Sequence, residues 1–319
     1  MFKKPIIGVL RGGPSSEFEV SLKSGSAVLK NLPEKYQGLD IFIDKEGFWH
    51  VGGIRKSPKE ISKLTTFFFN AMHGEYGEDG QVQEILDGLG ARYNGSKNFS
   101  SRLAMNKRLT KDFLVKHNIT TPKDLVVKRE GLNQEIVDKI FNSFSFPVIV
   151  KPLALGSSVG VYIANNFYEL ENVLDKSFAF SDQVLVEEFI KGREATGTVI
   201  ENWQGNKTHA LPIIEIVPEN QSGFFDYDAK YNGESQEICP GRFSEEESRE
   251  IKRLSVLVHE ALGLRHYSRS DFIVRSDGVP VFLEVNTLPG LTEASLLPKA
   301  LKAEGISFSD FLEHVISMA

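Results

Sequence analysis

SRSDFIVRSDGVPVFLEVNT, residues 268–287, is the stretch whose reading decides the fold. Its two halves alternate apolar and polar residues around Ser276-Asp277-Gly278, the pattern of a β-hairpin. Asp271 lies on one strand. Glu284 and Asn286 lie on the other, two residues apart, so both point to the same face. Three oxygen ligands then converge from adjacent strands, the donor set preferred by a hard cation that shares its shell with phosphate and water. A solvated polar face is the plain alternative. Leu283 and Val285 argue against it, because they supply the apolar face of a structured strand. Arg269 shares the Asp271 face and is placed to neutralise a developing anion.

Upstream, FPVIVKP (146–152) reads as a strand entering a glycine-serine loop, GSSVG (156–160), and VYIA (161–164) as the strand leaving it. GSSVG fits the G-x-S-x-G pattern of a hydrolase nucleophile, but that motif requires a helix after it. A hairpin loop whose backbone N–H groups and hydroxyls cradle phosphate is the better reading, with Lys151 at the strand end. In isolation an ordinary turn reads as well. At the start of the chain, PIIGVL (5–10) ends at Gly12-Gly13, and Val20, Leu22, Ala27, Val28 and Leu29 follow in helical spacing. GLDIFI (38–43) and TTFFFNAM (65–72) read as further strands, the latter apolar on both faces as in a parallel sheet. His73 and Glu17 then fall after strand ends, where ligands bind in open α/β sheets. A helix is expected from Ser100 to His117, a strand over ALPIIEIV (210–217), and capping boxes at Ser244/Glu247 and Ser307/Asp310. The fold class expected is α/β and α+β, a doubly wound N-terminal α/β domain followed by a two-part domain. The divisions expected are 1–98, 99–185 and 186–319.

Composition narrows the function classes. The chain has 319 residues, 37 Lys+Arg against 43 Asp+Glu, a net charge of −6 and a single cysteine. The absence of a basic excess argues against a nucleic-acid partner, and the lone cysteine against a disulfide framework or thiolate zinc cluster. Arg11 cuts the first apolar run short of a signal peptide, and no run approaches a membrane span. The expectation is a cytoplasmic protein with neither membrane nor nucleic-acid partner. There is no P-loop and no complete G-x-G-x-x-G, which opposes a nucleotide-dependent oxidoreductase.

Nine segments resemble the D-alanine–D-alanine ligase family of the ATP-grasp superfamily, in its order: GGPSSEFEVSLKSG, HGEYGEDGQVQ, YNGS, MNK, VKPLALGSSVG, EEFIKGRE, FFDYDAKY, SRSDF and FLEVNTLPGLTEASLLP. The resemblance implies ATP-dependent ligation of two D-alanines through a D-alanyl phosphate, for peptidoglycan precursor synthesis, by a homodimer. It implies that Lys107, Lys151, Ser157 and Ser158 contact ATP phosphates and that Glu187, Glu188, Ile190 and Glu194 hold adenine and ribose. Asp271, Glu284 and Asn286 would bind two Mg²⁺, Mn²⁺ being an alternative ion. Glu17 would take the ammonium of the first D-alanine, with His73 nearby and Ser157 and Tyr231 linked to Glu17. Lys230 would approach the transferred phosphate from a closing loop over 219–234. Arg269 and the Gly290 backbone would form the oxyanion site, and Ser295 and Leu296 would bind the carboxylate of the second D-alanine. Glu84, Glu188 and residues 153–155 depart from the family's usual pattern without removing a chemical group. A ligase using D-lactate or D-serine, and an ATP-binding regulator without ligase activity, are the alternatives. The 219–234 loop has no histidine to favour a hydroxy acid, and a regulator should have lost Arg269, Asp271 or Glu284.

Overall fold

A computed structural model describes residues 4–156, 159–218 and 235–318. The first unit runs β1 (Ile6–Gly12), α1 (Phe18–Asn31), β2 (Gln37–Ile43), β3 (Trp49–Val51), β4 (Ile54–Arg55), α2 (Pro58–Ser62), β5 (Phe67–Asn70) and α3 (Gln81–Gly88). Its sheet is ordered β4-β3-β2-β1-β5. β1 lies parallel to β2 and β5, and β3 and β4 turn back antiparallel at the edge. The period of two sorts the strand residues between two cores. Ile7, Val9, Phe67 and Phe69 pack with Val28 of α1. Leu10, Ile41 and Phe68 pack with Val82 and Leu86 of α3 on the other face. Continuous apolar strands are therefore required here, as the FFF run predicts.

Next come α4 (Asn98–Met105), α5 (Lys107–Val115), β6 (Asp124–Lys128), α6 (Gln134–Ser143), β7 (Val148–Pro152), β8 (Tyr162–Ala164), α7 (Phe167–Phe178) and β9 (Gln183–Glu188). The expected single helix from Ser100 to His117 is corrected to two. Asn106 is extended, with φ −89° and ψ 100°. Its side-chain oxygen accepts the Leu109 N–H at 3.0 Å. An Asn oxygen competes with the helical backbone for N–H groups and favours a new N-cap over helix continuation. The break sets Lys107 at the start of α5, where its N–H donates to the Leu153 carbonyl at 3.3 Å. The sheet is antiparallel, in the order β6-β9-β7-β8, with α6 and α7 packed on its own core of Val127, Ile140, Val150, Leu170 and Val186. β9 belongs whole to this sheet, which therefore ends at Glu188, beyond the expected division at 185. The loop 156–160 joins neighbouring antiparallel strands, β7 and β8, so a hairpin and not a nucleophile elbow surrounds it.

The last unit holds β10 (Arg193–Trp203), β11 (Asn206–Ala210), β12 (Ile214–Pro218), β13 (Ser235–Ile238), α8 (Glu245–Ala261), β14 (Tyr267–Val274), β15 (Pro280–Asn286), α9 (Leu296–Ala303) and α10 (Phe308–Met318). Its sheet is ordered β13-β12-β10-β14-β15, with β11 beside β10. The strand expected over 210–217 is corrected to the end of β11 and the start of β12, with Pro212, which has no N–H for a ladder, between them. The Ser244/Glu247 capping box is formed, and the Asp310 N–H donates to Ser307 Oγ at 3.0 Å. Two of the three units share a core: Leu288, Leu291, Leu297 and Phe311 pack against the Ile7/Val9 face of the first sheet. Ala104, Leu114 and Ile119 pack with Phe272 and Phe282 of the last sheet, so the α4–α5 pair lies on that sheet. No helix among the described residues is long and apolar enough to cross a membrane.

Candidate active site

Two cavities open where the three units meet. One of about 590 Å³ is lined by Glu17, His73, Arg269, Gly290, Ser295 and Leu296 among others. The other, of about 860 Å³, lies between the central sheet and the last sheet and is lined by Lys151, Glu187, Glu188 and Ile190. Lys107, Glu194, Asp271 and Glu284 line both, so the cavities meet along one charged wall.

Local structure explains how each group arrives. Glu17 precedes α1, and His73 follows β5, so both stand at carboxyl ends of neighbouring parallel strands. An added Cβ at either Gly74 or Gly156 would lie 2.9 Å from a Glu17 carboxylate oxygen, which places Glu17 between the turn after β5 and the glycine-serine loop. In the hairpin, Asp271 opposes Glu284 and Arg269 opposes Asn286. A bulge between Asp271 and Phe272 lies next to these positions. Gly290 abuts Ser295, because a Cβ on Gly290 would stand 2.8 Å from Ser295 Oγ.

The electrostatics are those of a desolvated, paired cluster. Arg269 donates to both oxygens of Asp271, at 3.0 and 2.8 Å. Burial opposes its charge, but Asp271 and Glu284 more than offset that and raise its pKa. Lys107 lies 3.5 Å from Glu284, and burial lowers its pKa even so. Lys151 lies 2.8 Å from Glu187. Burial works against the charge of Lys151, yet Glu187 and Glu284 hold its pKa above the usual lysine value. Burial likewise works against Glu187, but Lys151 and Lys111 keep it ionised below the usual carboxylate range. Two buried groups were not expected from sequence. Lys111 pairs with the second oxygen of Glu187. Glu78 accepts the Gly74 N–H at 2.7 Å and the Leu288 N–H at 3.1 Å, and burial with neighbouring Glu17 pushes its pKa up to about 8. The signal for Lys111 was present, four residues after Lys107 on one helix face. The signal for Glu78 was its glycine-rich turn.

The structure therefore brings Glu17, His73, Lys107, Glu194, Arg269, Asp271, Glu284, Asn286, Gly290, Ser295 and Leu296 to one cavity, and Lys151, Glu187, Glu188 and Ile190 to the adjoining one. The Glu188 side chain accepts the Lys123 N–H at 2.9 Å. Ser157, Ser158, Lys230, Tyr231 and the 219–234 loop lie outside the described residues.

An antiparallel sheet facing a second antiparallel sheet across a cleft, with lysines on one side and a carboxylate hairpin on the other, defines an ATP-grasp protein. The chain matches the D-ala D-ala ligase N-terminus family over residues 6–66 and the D-ala D-ala ligase C-terminus family over residues 114–317. It belongs to the D-alanine–D-alanine ligase family. It is 40% identical over 317 residues to the D-alanine–D-alanine ligase of Geobacter sulfurreducens, covering 98% of this chain and 93% of that one. With the Clostridium beijerinckii ligase it is 38% identical, covering 97% of each chain. Among solved structures, the Bacillus anthracis D-alanine–D-alanine ligase complexed with ATP matches with a TM-score of 0.80 and 34% identity, covering 98% of this chain and 96% of that one. The VanG D-Ala:D-Ser ligase of Enterococcus faecalis matches with a TM-score of 0.84 and 29% identity over 99% of both chains.

Proposed function

We propose that the chain is an ATP-dependent ligase that joins two D-alanines into D-alanyl-D-alanine for peptidoglycan precursor synthesis. The observation that carries this reading is the shared wall of Lys107, Glu194, Asp271 and Glu284 between a nucleotide-sized cleft and a smaller cavity. A carboxylate in the smaller cavity would meet a terminal phosphate from the larger one there. The carboxylate oxygen of the first D-alanine attacks the γ-phosphorus of ATP, ADP leaves, and D-alanyl phosphate forms. Lys107 and Lys151 offset the negative charge that opposes that approach. The free amine of the second D-alanine then attacks the acyl carbon, and phosphate leaves with the C–O bond. Arg269, oriented by Asp271, and the Gly290 N–H stabilise the tetrahedral oxyanion. Glu17 holds the ammonium of the first D-alanine, with His73 in the wall beside it. The N-terminal end of α9, at Ser295 and Leu296, takes the carboxylate of the second. Glu187, Glu188, Ile190 and Glu194 line the nucleotide side.

Two carboxylates and an amide oxygen, at or beside paired positions of one hairpin, fit a hard divalent cation. Asp271, Glu284 and Asn286 would hold Mg²⁺, which when bound neutralises phosphate charge. A homodimer acting in the cytoplasm belongs to the same reading.

The test is phosphate release from ATP with a panel of D- and L-amino acids, D-serine and D-lactate, with product analysis. Release with D-alanine and accumulation of D-alanyl-D-alanine are expected. A mixed product as the main species from D-alanine offered with D-serine or D-lactate would move the assignment to another second substrate. ATP binding without release under any substrate would identify a non-catalytic regulator.

A further inference from the structure

β15 ends at Asn286, and the turn after it brings Gly290 and Ser295 to the cavity, yet several of its polar contacts come from the first unit. The Leu291 N–H donates to Ser24 Oγ at 3.2 Å. Ser24 lies 2.7 Å from His73 Nε2. His73 Nδ1 lies 2.9 Å from the Leu288 carbonyl oxygen. The Leu288 N–H reaches Glu78 at 3.1 Å and Asn286 Oδ1 at 3.0 Å. With a neutral ring, these contacts permit one proton arrangement. A carbonyl oxygen only accepts, so Nδ1 of His73 carries the proton. Nε2 of the neutral ring then accepts, so the Ser24 hydroxyl donates to it and keeps a lone pair for the Leu291 N–H. Burial supports the neutral ring, lowering the His73 pKa to about 4. Both ring nitrogens are occupied, and Ser24 is fully buried.

We infer that Ser24, His73 and Glu78 are positioning residues that latch the Leu288–Leu291 turn to the first unit and so hold the Gly290 backbone in register with Glu17. Leu288 and Leu291, the anchored residues, flank Gly290 on both sides. Their side chains are 2% exposed in the core shared with that unit, and a Cβ on Gly95 would stand 2.7 Å from Leu288 Cδ2. The unit that presents Glu17 therefore also fixes the turn that presents the proposed oxyanion donor. Its kinetic consequence rests on the ligase reading. His73 acts on this account through Leu288 and not by touching substrate.

The experiment combines amide exchange with steady-state kinetics on full-length Ser24→Ala, His73→Ala, His73→Asn and the Ser24→Ala/His73→Ala double variant. In Ser24→Ala, exchange at the Leu291 amide should accelerate about tenfold while Phe272 and Phe282 amides keep their protection. Ser24→Ala and His73→Ala should lose roughly 10- to 100-fold in kcat, with KM for D-alanine and ATP within about threefold of the parent. The double variant should be no worse than the worse single one, because both break one chain of bonds. His73→Asn, whose amide nitrogen can occupy the Nδ1 position, should recover most of the loss. A folded Ser24→Ala protein with parental Leu291 exchange would overturn the latch. So would a His73→Ala protein whose KM for D-alanine rises while kcat is unchanged, since that is the signature of a substrate contact. A parent protein without D-alanine-dependent phosphate release would overturn the ligase reading instead, and the exchange result would still decide the latch.

Discussion

Glu284 and Arg269 stand on the two strands of one hairpin but are asked for different things. Glu284 opposes Asp271 in the hairpin and stands 3.5 Å from Lys107. Glu284→Gln keeps shape and removes one charge, so turnover with Mg²⁺-ATP should drop by orders of magnitude while the fold survives. Rates near the parental value at saturating Mg²⁺ would remove the hairpin from the metal role. Arg269 is preorganised by two hydrogen bonds to Asp271. Its contribution is expected in the transition state, where losing one oxyanion donor costs about 100- to 1000-fold in kcat. Arg269→Ala should show that loss with ATP affinity changed far less. A collapse of ATP binding with unchanged turnover of bound substrate would contradict it. Removing Arg269 also strands a buried carboxylate, so a melting curve must accompany the kinetics.

At the scale of elements, the break between α4 and α5 is the informative feature. Asn106 caps α5 and makes Lys107 its first residue. Replacing it with Ala removes the cap, at a cost of about 1 kcal/mol, and favours one continuous helix that would carry Lys107 away from Leu153 and Glu284. Asn106→Ala should therefore lower the melting temperature modestly and raise KM for ATP more than it lowers kcat; titration calorimetry with ATP checks the affinity directly. Asn106→Ser, another good cap, should restore both. A loss of stability with unchanged ATP affinity would confine Asn106 to capping.

For the whole molecule, the seam between the first and last units sets the acid response. His266 has φ 68°, and its Nδ1 accepts the Gly95 N–H at 3.0 Å. Burial and Arg265 lower its pKa to about 3, and burial lowers that of His73 to about 4. Both groups are depressed from an unfolded value near 6.5. The unfolded chain therefore takes up protons first, and stability present above pH 6.5 is lost as pH falls toward 4 and then 3. Each depressed unit corresponds to about 1.4 kcal/mol, so His73 alone accounts for up to ~3 kcal/mol across that window. Glu78, whose pKa burial and Glu17 push up to about 8, works the other way between pH 8 and 4.5, so denaturant midpoints should fall only below pH 6.5, where the two histidines together outweigh it. His266→Asn keeps an acceptor for Gly95, tolerates the positive φ and cannot titrate, so its profile should be visibly flatter. A profile identical to the parent's would assign the acid response to other groups.

Much of this was written in local pattern. Period-two alternation around Ser276-Asp277-Gly278 determined the hairpin and the shared face of Asp271 with Arg269 and of Glu284 with Asn286, because a strand leaves no other direction for residues two apart. The apolar FFF run determined a strand buried on both faces, and the motif order determined the family. Contacts between residues distant in sequence were not legible in this way. That Lys111 reaches Glu187, that α4 and α5 pack beneath β14 and β15, and that Ser24, His73 and Glu78 hold a turn some 210 to 270 residues away follow from which buried faces meet. A sequence states what each residue can donate, accept or bury. Only the tertiary structure decides which partner stands within 3 Å of it once water has been excluded, and so which charges are paired and which protons are fixed.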